Sequence, residues 1–342
     1  MSRSLVSVII VNWNGANYLE TCLISLTRQT HRRIEIIVVD NASTDNSFDV
    51  LTSFRAQYPR VPLRVILNDR NKGFCYGNNQ GIRLSSGEFI FLLNADVSLE
   101  PPFIEKLVAV MREERQVGIA VGKLLNGHDP TLIDSAGLVM RKNRRAADRG
   151  QREPDHGQYA TREEVFGASG AACLYRRAML ESLKYSRSDL GMPADADSHY
   201  VAHDEYLDEL FFAYKEDVDL SWRAQLAGWK CVYTPDAVGY HFRKWGEGNR
   251  QQIPKWIRRQ SLKNRYVMLL KNERFSTFLP SCLHIALYEL LSLGFMLLRE
   301  PYLFVVVKDL LELWPSIMKK RKLTQRRIRQ KSLAPRLLRW FK

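Results

Sequence analysis

The sequence feature that most constrains the fold is the alternation of short apolar runs with helix-like stretches over the first hundred residues. Four runs have the length and composition of strands, and the segments between them have apolar residues at helical spacing. Strands that alternate with helices form βαβ units, so the pattern predicts an α/β domain with a mostly parallel sheet. The predicted strands are Val6 to Val11, Ile34 to Val39, Leu63 to Leu67 and Phe89 to Leu93, and the predicted helices are Tyr18 to Thr27, Ser47 to Tyr58 and a segment near Asn78 to Leu84.

Polar side chains follow three of these predicted strands where each strand ends. They are Asn12-Trp13-Asn14, Asp40-Asn41 and Asn94-Ala95-Asp96. In an open α/β sheet, ligands bind outside the carboxyl ends of the strands, so these residues are expected to converge on one crevice.

Composition and charge exclude several classes of protein. With 342 residues, 45% of them hydrophobic and 26% charged, the chain has the composition of a globular protein. Eleven of the fourteen excess positive charges lie in residues 319–342, so the basicity belongs to a tail. That tail lacks interleaved aromatics, which argues against nucleic-acid binding. Five scattered cysteines without CxxC spacing argue against a disulfide framework or a zinc site, and favour a cytosolic protein.

Further along the chain, residues 141–164 and the acidic stretch from Ser186 to Asp208 are both predicted to be mobile loops. "GASGAACLYRRAML" starts with small residues and continues as a strand or a helix. The following "DELFFAYKEDVDLSWRAQLAG" is predicted to be helical, with Gly228 as its stop. Its apolar face consists of Phe211, Tyr214, Val218, Trp222 and Leu226.

A dinucleotide-binding oxidoreductase is the first function that such a sheet suggests. That function needs a glycine-rich turn after the first strand, where backbone amides approach a pyrophosphate. Here the turn is "NWNGANYLE", with one glycine and a bulky tryptophan, so this class fits poorly.

Five ordered segments resemble the family 2 glycosyltransferases, and within that family most closely the bacterial rhamnosyltransferase-like branch. They are "VSVIIVNWNG", "IIVVDNASTDNS", "NDRNKGFCYGNNQGI", "FIFLLNADV" and "YKEDVDLSWRAQLAGW", within residues 5–245. The resemblance implies the GT-A fold, which is Rossmann-like with a mostly parallel sheet and flanking helices. It also implies transfer of a sugar from a nucleoside diphosphate donor, dTDP-rhamnose or a UDP-sugar.

The resemblance places the nucleotide-sugar site at the strand ends. Asp40 would accept a hydrogen bond from the N3–H of uracil or thymine, and Trp13 offers a flat face on which that base can stack. Two other readings stay open, in which Asp40 only caps the following turn and Trp13 packs in the core. The full implied set is Asn12, Trp13, Asp40, Asn71, Gly73, Asn79 and Asn94.

The same resemblance places a divalent cation, Mg²⁺ or Mn²⁺, at the end of the fourth strand. The usual Asp-x-Asp motif is here Asn94-Ala95-Asp96, so Asp96 is the main predicted ligand and Asn94 contacts ribose or a metal-bound water. His241, which follows the last strand of the domain, is the second predicted ligand, although a lone histidine there is more often structural. Because asparagine replaces the first acid of the usual motif, the sequence does not decide whether sugar transfer strictly requires a metal.

An acidic group near a helix start supplies the predicted general base. By resemblance Asp217 is the base and Glu216 supports it or binds the acceptor, while Asp219 can pair with Arg223 one turn later. The alternative is that these acids only stabilise the amino terminus of the helix through their negative charge. One base opposite one leaving diphosphate is the arrangement of a single displacement with inversion. The Gln-x-x-Arg-Trp motif of processive synthases is matched only by Gln252 to Trp256, with lysine for arginine, so transfer of one residue is expected.

The carboxyl-terminal third is predicted to be helical and to attach to a membrane surface. We expect a catalytic domain at 1–250, with a nucleotide-binding half near 1–100 and an acceptor half near 101–250, and a helical region with a basic tail at 251–342. Phe278 to Leu298 is long enough to span a bilayer, but Glu289 near its centre and a polar stripe favour a helix lying on the surface.

These features together predict an enzyme at the cytoplasmic face of the cell membrane. Its acceptor would be a lipid-linked saccharide or a growing cell-surface polysaccharide. The alternative from another class is a non-catalytic nucleotide-sugar-binding or scaffold protein with a weakened metal site.

Overall fold

The computed structural model describes residues 4–190, 203–243, 250–327 and 337–342. Within these ranges the strands are β1 Val6–Asn12, β2 Ile34–Asp40, β3 Leu63–Leu67, β4 Phe89–Leu93, β5 Val97–Leu99, β6 Val117–Asn126, β7 Ile133–Ser135, β8 Leu138–Met140, β9 Ala146–Asp148, β10 Glu163–Val165, β11 Ala172–Arg176 and β12 Lys230–His241. The helices are α1 Ala16–Thr27, α2 Ser47–Gln57, α3 Phe74–Leu84, α4 Phe103–Glu113, α5 Arg177–Leu183, α6 Glu216–Leu226, α7 Lys255–Asn272, α8 Phe275–Phe278, α9 Cys282–Arg299 and α10 Val305–Arg326.

A ten-stranded mixed sheet forms the centre of the molecule. Its main order is β10-β12-β6-β11-β4-β1-β2-β3, with β5 on β12 and β7 on β6. The four predicted strands are all present and are mutually parallel in the order β4-β1-β2-β3. The prediction of a mostly parallel sheet is wrong for the second half, because β11 lies antiparallel between β4 and β6, and β5, β7 and β10 also pair antiparallel.

Helices cover both faces of the sheet, which explains why the strands read as continuous apolar runs. Successive residues of β1 point to opposite faces: Val8 packs in the cluster with α1, α2 and α4, whereas Ile9 packs in the cluster with α3 and α6. Each cluster draws on strands from both halves of the sheet. The sheet thus forms one unit, with an apolar cluster on each face.

Two predictions about the middle of the chain are corrected. Residues 141–164 are not one mobile loop, since they include β9 and the start of β10, and β8 and β9 form a hairpin. The helix predicted from Asp208 begins at Glu216, because Phe212, Tyr214 and Lys215 all have positive φ and form a turn. Gly228, at φ +87°, follows the end of α6 as predicted. Residues 191–202 of the predicted loop from Ser186 to Asp208 lie outside those that the structure describes.

A buried cluster of charges joins α7 and α10 to the segment before α6. Asp208 forms ion pairs with Lys271 of α7 and, at 2.6 Å, with Lys320 of α10. Asp219 of α6 lies 3.0 Å from Lys271 and pairs with Arg223 at 2.9 Å, the predicted pair one turn later. All five side chains are almost fully removed from water. Burial raises the pKa of Asp208, but the two lysines outweigh it and hold that pKa below its ordinary value.

Helix α9 turns its polar stripe toward the protein and its leucines outward. Glu289 accepts hydrogen bonds from Arg265, at 2.6 Å, and from the Tyr266 hydroxyl, at 2.7 Å, and the Arg265 guanidinium lies over the ring of Tyr288. Together with α8, this is one helical stretch, Phe275–Arg299, that by length and composition could cross a bilayer. Its exposed leucines are Leu283, Leu287, Leu290, Leu291, Leu293, Leu297 and Leu298.

Candidate active site

A cavity of about 370 Å³ lies beyond the carboxyl ends of β1, β2 and β4. Its walls are formed by the ends of these strands, the loop before α3, the turn before α6 and the start of α7. The predicted crevice is therefore present in the structure. Its lining residues are Val11, Asn12, Trp13, Asn14, Gly15, Tyr18, Asn41, Asn71, Gly73, Phe74, Asn94, Ala95, Asp96, Phe212, Ala213, Tyr214, Trp256 and Ile257.

Asn12 and Asp40 are partners across the parallel pairing of β1 and β2. Asn12 Nδ2 donates to Asp40 Oδ2 at 2.8 Å, and Ser43 donates to both carboxylate oxygens through its hydroxyl and its backbone N–H. Asp40 is buried and lies behind the lining residues, with three protein donors on its four acceptor positions. The oxygen of the Asn12 amide is buried and has no hydrogen-bond partner among the described residues.

Trp13 and Asn71 stand at the cavity as expected. The Trp13 side chain is 50% exposed, so it is not a core residue, and its ring is free to pack against a ligand. Asn71 accepts a hydrogen bond from the backbone N–H of Gly73 at 2.9 Å. Gly73 has φ +91°, and a Cβ atom there would lie 2.5 Å from the ring of Phe212. This glycine is needed both for its backbone conformation and for the close approach of that ring.

Asn79 does not line the cavity, so the predicted contact with the nucleotide is not supported. Its amide is fully buried, donates to Leu207 and Glu209, and accepts from the backbone N–H groups of Tyr206 and Leu207. Asn79 therefore ties α3 to the segment before α6. Asn94 does line the cavity, and its amide oxygen is buried without a partner in the described part of the chain.

The sheet brings Asp96 and His241 together. β12 pairs with β5 so that His241 faces Val97, the neighbour of Asp96. His241 Nε2 consequently lies 3.4 Å from Asp96 Oδ1, and the backbone N–H of Phe242 donates to the Asp96 carbonyl at 2.8 Å. A carboxylate that lines the cavity and a buried imidazole, 145 positions apart in the sequence, thus meet, although His241 itself is not among the lining residues.

Asp134 of β7 orients this histidine. Its Oδ2 lies 2.8 Å from His241 Nδ1, and its Oδ1 lies 2.7 Å from Arg243 Nε. Burial lowers the pKa of His241, but the hydrogen bonds and charges of Asp134 and Asp96 outweigh it and raise that pKa to about 9. Burial raises the pKa of Asp134, but His241 and Arg243 outweigh it and keep that carboxyl below its usual range. Nδ1 is thus committed to Asp134, and Nε2 faces Asp96.

The donor set fits a divalent cation that takes most of its ligands from elsewhere. No group of three or more histidines, cysteines or acids in the described part of the chain is arranged to hold a metal. Asp96 nevertheless offers one carboxylate oxygen, and His241 would offer Nε2 once a cation has displaced the proton that its raised pKa keeps on the ring at neutral pH. Asp134 fixes the ring as a hydrogen-bonded carboxylate does in histidine metal sites. Phosphate oxygens and water would complete such a shell, and the imidazole favours Mn²⁺ over Mg²⁺.

Asp217 is not among the residues that line the cavity, and it lies beside Gly170, next to the segment that bonds Asn94 at the cavity wall. Its Oδ2 accepts from the Gly170 N–H at 2.9 Å and its Oδ1 from the Val218 N–H at 2.7 Å. The next residue, Ala171, accepts from the N–H of Asn94, which lines the cavity. Burial raises the pKa of Asp217 and the backbone bonds partly offset this, so the group is a stronger base than an ordinary aspartate.

Glu216 differs from its neighbour in burial and bonding. It is buried, and its Oε2 has no hydrogen-bond partner among the described residues. Burial and the charge of Asp217 raise the pKa of Glu216 to about 8, so it holds a proton at neutral pH. The pKa values of both adjacent carboxyls are thus raised, and Asp217, which accepts from two backbone N–H groups, is the better supported of the two as a carboxylate.

Several lining residues were not found by sequence reasoning. Phe212 and Tyr214 belong to the turn before α6, which the sequence predicted to be helical. Trp256 begins α7, and its ring lies 6.4 Å from that of Tyr214. The partial Gln-x-x-Lys-Trp match was interpreted as coincidence, yet its tryptophan reaches the cavity. Nothing in local spacing signals this contact, because it depends on how α7 packs against the sheet domain.

Comparisons with known proteins agree with this geometry. The family model described as Glycosyl transferase family 2 matches residues 7–184, more than half of the chain. A glycosyltransferase of Nostoc sp., described as uncharacterized, is 36% identical over 132 residues, which are 38% of this chain and 40% of that protein. Glycosyltransferase GlyG of Streptococcus pneumoniae serotype 4 is 33% identical over 122 residues, 36% of this chain and 40% of its own length. The chain thus spans about two fifths of these relatives.

Among solved structures, the mannosyltransferase PcManGT from Pyrobaculum calidifontis, in complex with GDP-Man and Mn²⁺, has a similar fold. Its TM-score is 0.52 at 16% sequence identity, covering 99% of this chain and 88% of that one. This likeness concerns the fold, a GT-A-like mixed α/β architecture with helices flanking a central sheet.

Proposed function

The chain belongs to glycosyl transferase family 2, and we propose that it transfers one sugar from a nucleoside diphosphate donor to a saccharide acceptor, with inversion at the anomeric carbon. The observation that carries the proposal is Asp96, which lines a cavity that also has an exposed tryptophan and lies 3.4 Å from the buried His241 behind it. A cation site beside a flat apolar face suits a diphosphate joined to a nucleoside.

The nucleoside half of the donor would bind at the ends of β1 and β2. Trp13 would stack on the base, and the remaining acceptor position of Asp40 would receive the N3–H of uracil or thymine. Asn12, Asn71, Gly73 and Asn94 would contact the ribose and the diphosphate. The unpartnered amide oxygens of Asn12 and Asn94 support this assignment, because a ribose hydroxyl would satisfy either of them. A dTDP-sugar such as dTDP-rhamnose, or a UDP-sugar, fits this recognition.

Asp96 and His241 would hold a divalent cation, whose charge stabilises the diphosphate as it leaves. Asp134 would keep the His241 ring in the orientation that presents Nε2. The Mn²⁺ in the PcManGT complex supports a cation as the cofactor class, while the choice between Mn²⁺ and Mg²⁺ rests on the imidazole ligand.

Asp217 would act as the general base. As the acceptor hydroxyl oxygen bonds to the anomeric carbon, the bond from that carbon to the diphosphate oxygen breaks, and the hydroxyl proton passes to Asp217. Its ionised form is supported by two backbone N–H groups, whereas Glu216 is protonated and therefore cannot accept the proton at neutral pH. Glu216 would instead donate a hydrogen bond to the acceptor sugar.

The acceptor is proposed to be a lipid-linked saccharide or a cell-surface polysaccharide, reached from the cytoplasmic face of the membrane. Support comes from α9, whose leucines point outward, and from the cations of residues 319–342 other than Lys320, which is buried against Asp208. An apolar helix combined with a basic segment gives the two signals that stable peripheral attachment requires. Glu289 supports surface attachment over a span, because a charge at the bilayer centre costs about 2.5–3.5 kcal/mol on insertion scales.

The donor class is tested by thermal stabilisation of the purified protein with UDP-, dTDP- and GDP-sugars, with and without Mn²⁺. We expect uracil and thymine nucleotides to raise Tm, more so with Mn²⁺, and Asp40→Asn to abolish the distinction from guanine nucleotides. Stabilisation by GDP-sugars alone would contradict the role of Asp40. Binding without transfer to any saccharide acceptor would instead support a nucleotide-sugar-binding scaffold.

A further inference from the structure

A second cavity, separate from the donor site, lies where the end of α7, α8, α9 and α10 meet. Its volume is about 450 Å³, and most of its wall is apolar, with contributions from Leu269, Phe278, Ile285, Trp314 and Met318. Trp314 is 46% exposed, so the cavity is an open groove. A groove of this kind fits a hydrocarbon chain.

Two arginines give the groove a positive end. Arg274 and Arg321 both line it, and neither has an acidic partner within ion-pair distance in the described part of the chain. The Nη1 of Arg274 is buried and has no hydrogen-bond partner there, while Arg321 donates to the Leu270 carbonyl. The one acid in the wall, Glu273, is neutralised by Arg144 at 2.6 Å. The groove therefore has a net positive charge that lacks a counter-ion, and a buried guanidinium nitrogen that lacks an acceptor.

The groove is continuous with the outward apolar face of α9. Ile285 lines the groove, and Leu283, Leu287 and Leu290 of the same helix are each more than half exposed. α9 cannot turn these leucines inward without breaking the bonds of Glu289 to Arg265 and Tyr266. The surface around the groove is thus suited to contact lipid.

We propose that this groove binds one anionic phospholipid of the bilayer, with an acyl chain along the apolar wall and the phosphate on Arg274 and Arg321. The inference rests on the proposed attachment to a membrane and adds the class of lipid that the protein would bind. An arginine guanidinium can donate two hydrogen bonds to one phosphate, and the apolar wall would contact the acyl chain of the lipid.

This site would fix the distance of the active site from the membrane. Trp256 reaches the donor cavity and Leu269 reaches the groove, and thirteen residues of α7 separate them. At 1.5 Å per residue this is about 20 Å. A lipid bound in the groove would therefore lie about 20 Å along α7 from the residue that reaches the donor cavity.

Vesicle binding by the full chain tests the proposal. Flotation is measured with phosphatidylcholine vesicles that contain or lack phosphatidylglycerol, for the wild type, for Arg274→Gln/Arg321→Gln, and for a control pair with the same charge loss, Arg55→Gln/Arg60→Gln. Arg55 and Arg60 are both exposed. They lie in the last turn of α2 and just after it, and not in the carboxyl-terminal helices that form the groove. We expect the groove pair to weaken binding to phosphatidylglycerol vesicles about tenfold more than the control pair does.

Fluorescence gives a second readout that does not depend on charge. Phospholipids with brominated acyl chains should quench the wild type more than Trp314→Phe, because Trp314 lines the groove. Equal binding by the two arginine pairs, or equal quenching in the presence and absence of Trp314, would overturn the proposal. Stabilisation by farnesyl phosphate but not by a short-chain phosphatidylglycerol would also overturn it, since the site would then belong to a prenyl carrier.

The outcomes also separate this inference from the proposed function. If the wild type binds no vesicle at all, the membrane attachment itself fails. If the wild type binds and the two pairs behave alike, only the groove is excluded. Neither readout requires sugar transfer, so the transferase proposal is judged independently.

Discussion

The Nδ2 of Asn264 lies 2.7 Å from the carbonyl oxygen of Tyr214, so a side chain of α7 holds the turn that leads into Glu216. The same amide lies 2.8 Å from the Ala213 carbonyl and 2.9 Å from that of Phe211. A turn in which three residues have positive φ is strained unless its surroundings fix it. Asn264, fully buried, provides that restraint from the carboxyl-terminal region.

Replacing Asn264 with alanine should therefore loosen the turn. We expect a loss of about 1–3 kcal/mol in the free energy of unfolding, since buried carbonyls lose their donor, together with a lower kcat. Chemical denaturation and steady-state kinetics measure the two effects. Gln57→Ala, which removes an exposed amide at the end of α2, is the control. Identical kinetics in Asn264→Ala and Gln57→Ala would show that the turn needs no support from α7.

The two adjacent acids should respond differently to removal of their charge. Asp217→Asn should lower kcat by about 10²–10⁴-fold, the range for loss of a general base. Glu216→Gln should keep most of kcat and raise the KM for the acceptor, because the wild-type group is already neutral at pH 7. Rates of sugar transfer with saturating donor separate the two. Unchanged transfer by Asp217→Asn would rule out this residue as the base.

Glu216 also predicts a specific dependence of stability on pH. Its pKa is raised from 4.5 to about 8 in the folded chain, chiefly by burial. A proton held more tightly by the folded form stabilises that form fully below pH 4.5, and this stabilisation is lost as the pH rises through about 8. Relative to the wild type, Glu216→Gln should thus become progressively more stable across this interval.

Calorimetric Tm values for both proteins between about pH 5 and pH 9 check this expectation. Glu20→Gln, on the exposed side of α1, serves as the matched control and should show no such trend. A constant difference in Tm between wild type and Glu216→Gln would mean that the carboxyl titrates normally.

Asp134 should matter for metal affinity although it does not reach the cation. Replacing it with asparagine removes the negative charge of the acceptor that fixes His241 Nδ1 and puts an N–H donor on one side of the group. Loss of such an outer partner typically weakens metal binding about 10–100-fold. Titration of Mn²⁺ by electron paramagnetic resonance measures this without any sugar transfer. Asp129→Asn, in an exposed turn, should bind as the wild type does; equal affinities in all three proteins would remove Asp134 from the site.

Gly73→Ala should be more harmful than the same substitution at another glycine with positive φ. Gly73 and Gly157 have similar φ values, +91° and +81°, but a Cβ at Gly73 would lie 2.5 Å from Phe212, whereas nothing lies within 4 Å at Gly157. Gly73 also has ψ 163°, which places it in a region of the backbone map that only glycine readily occupies. We therefore expect a larger loss of unfolding free energy in Gly73→Ala than in Gly157→Ala, measured by chemical denaturation, and equal losses would show that both the ring and the backbone adjust.

The first half of the fold was predictable from local pattern. β3 and β4 match their predicted bounds, and β1 and β2 extend by one residue, because buried parallel strands are continuous apolar runs bounded by polar residues. The antiparallel position of β11 could not be predicted, since its pairing with β4 and β6 depends on contacts far along the chain. That insertion is what makes the sheet mixed.

The site was predictable only where the chemistry follows a strand. Asn12, Trp13 and Asp96 sit at strand ends and line the cavity as expected. His241 could be predicted only through the resemblance to a family. No sequence pattern marks its partner Asp134, because a single aspartate in a short strand does not indicate a role. Trp256 and Asn264 were missed since their roles arise from the packing of α7. The rhamnosyltransferase-like branch and the division of the chain at residue 250 stay predictions.

The buried charges around Asp208 bear on how the chain can be divided. A protein ending at residue 250 would retain Asp208 and Asp219 but lose Lys271 and Lys320. Removing one partner of a buried ion pair typically costs about 3–5 kcal/mol, which is a large part of the stability of an average domain. The catalytic sheet would thus carry unmatched acids next to the helix that presents Asp217. The carboxyl-terminal helices thus supply counter-charges to the sheet domain, and the two parts of the chain are expected to unfold as one unit.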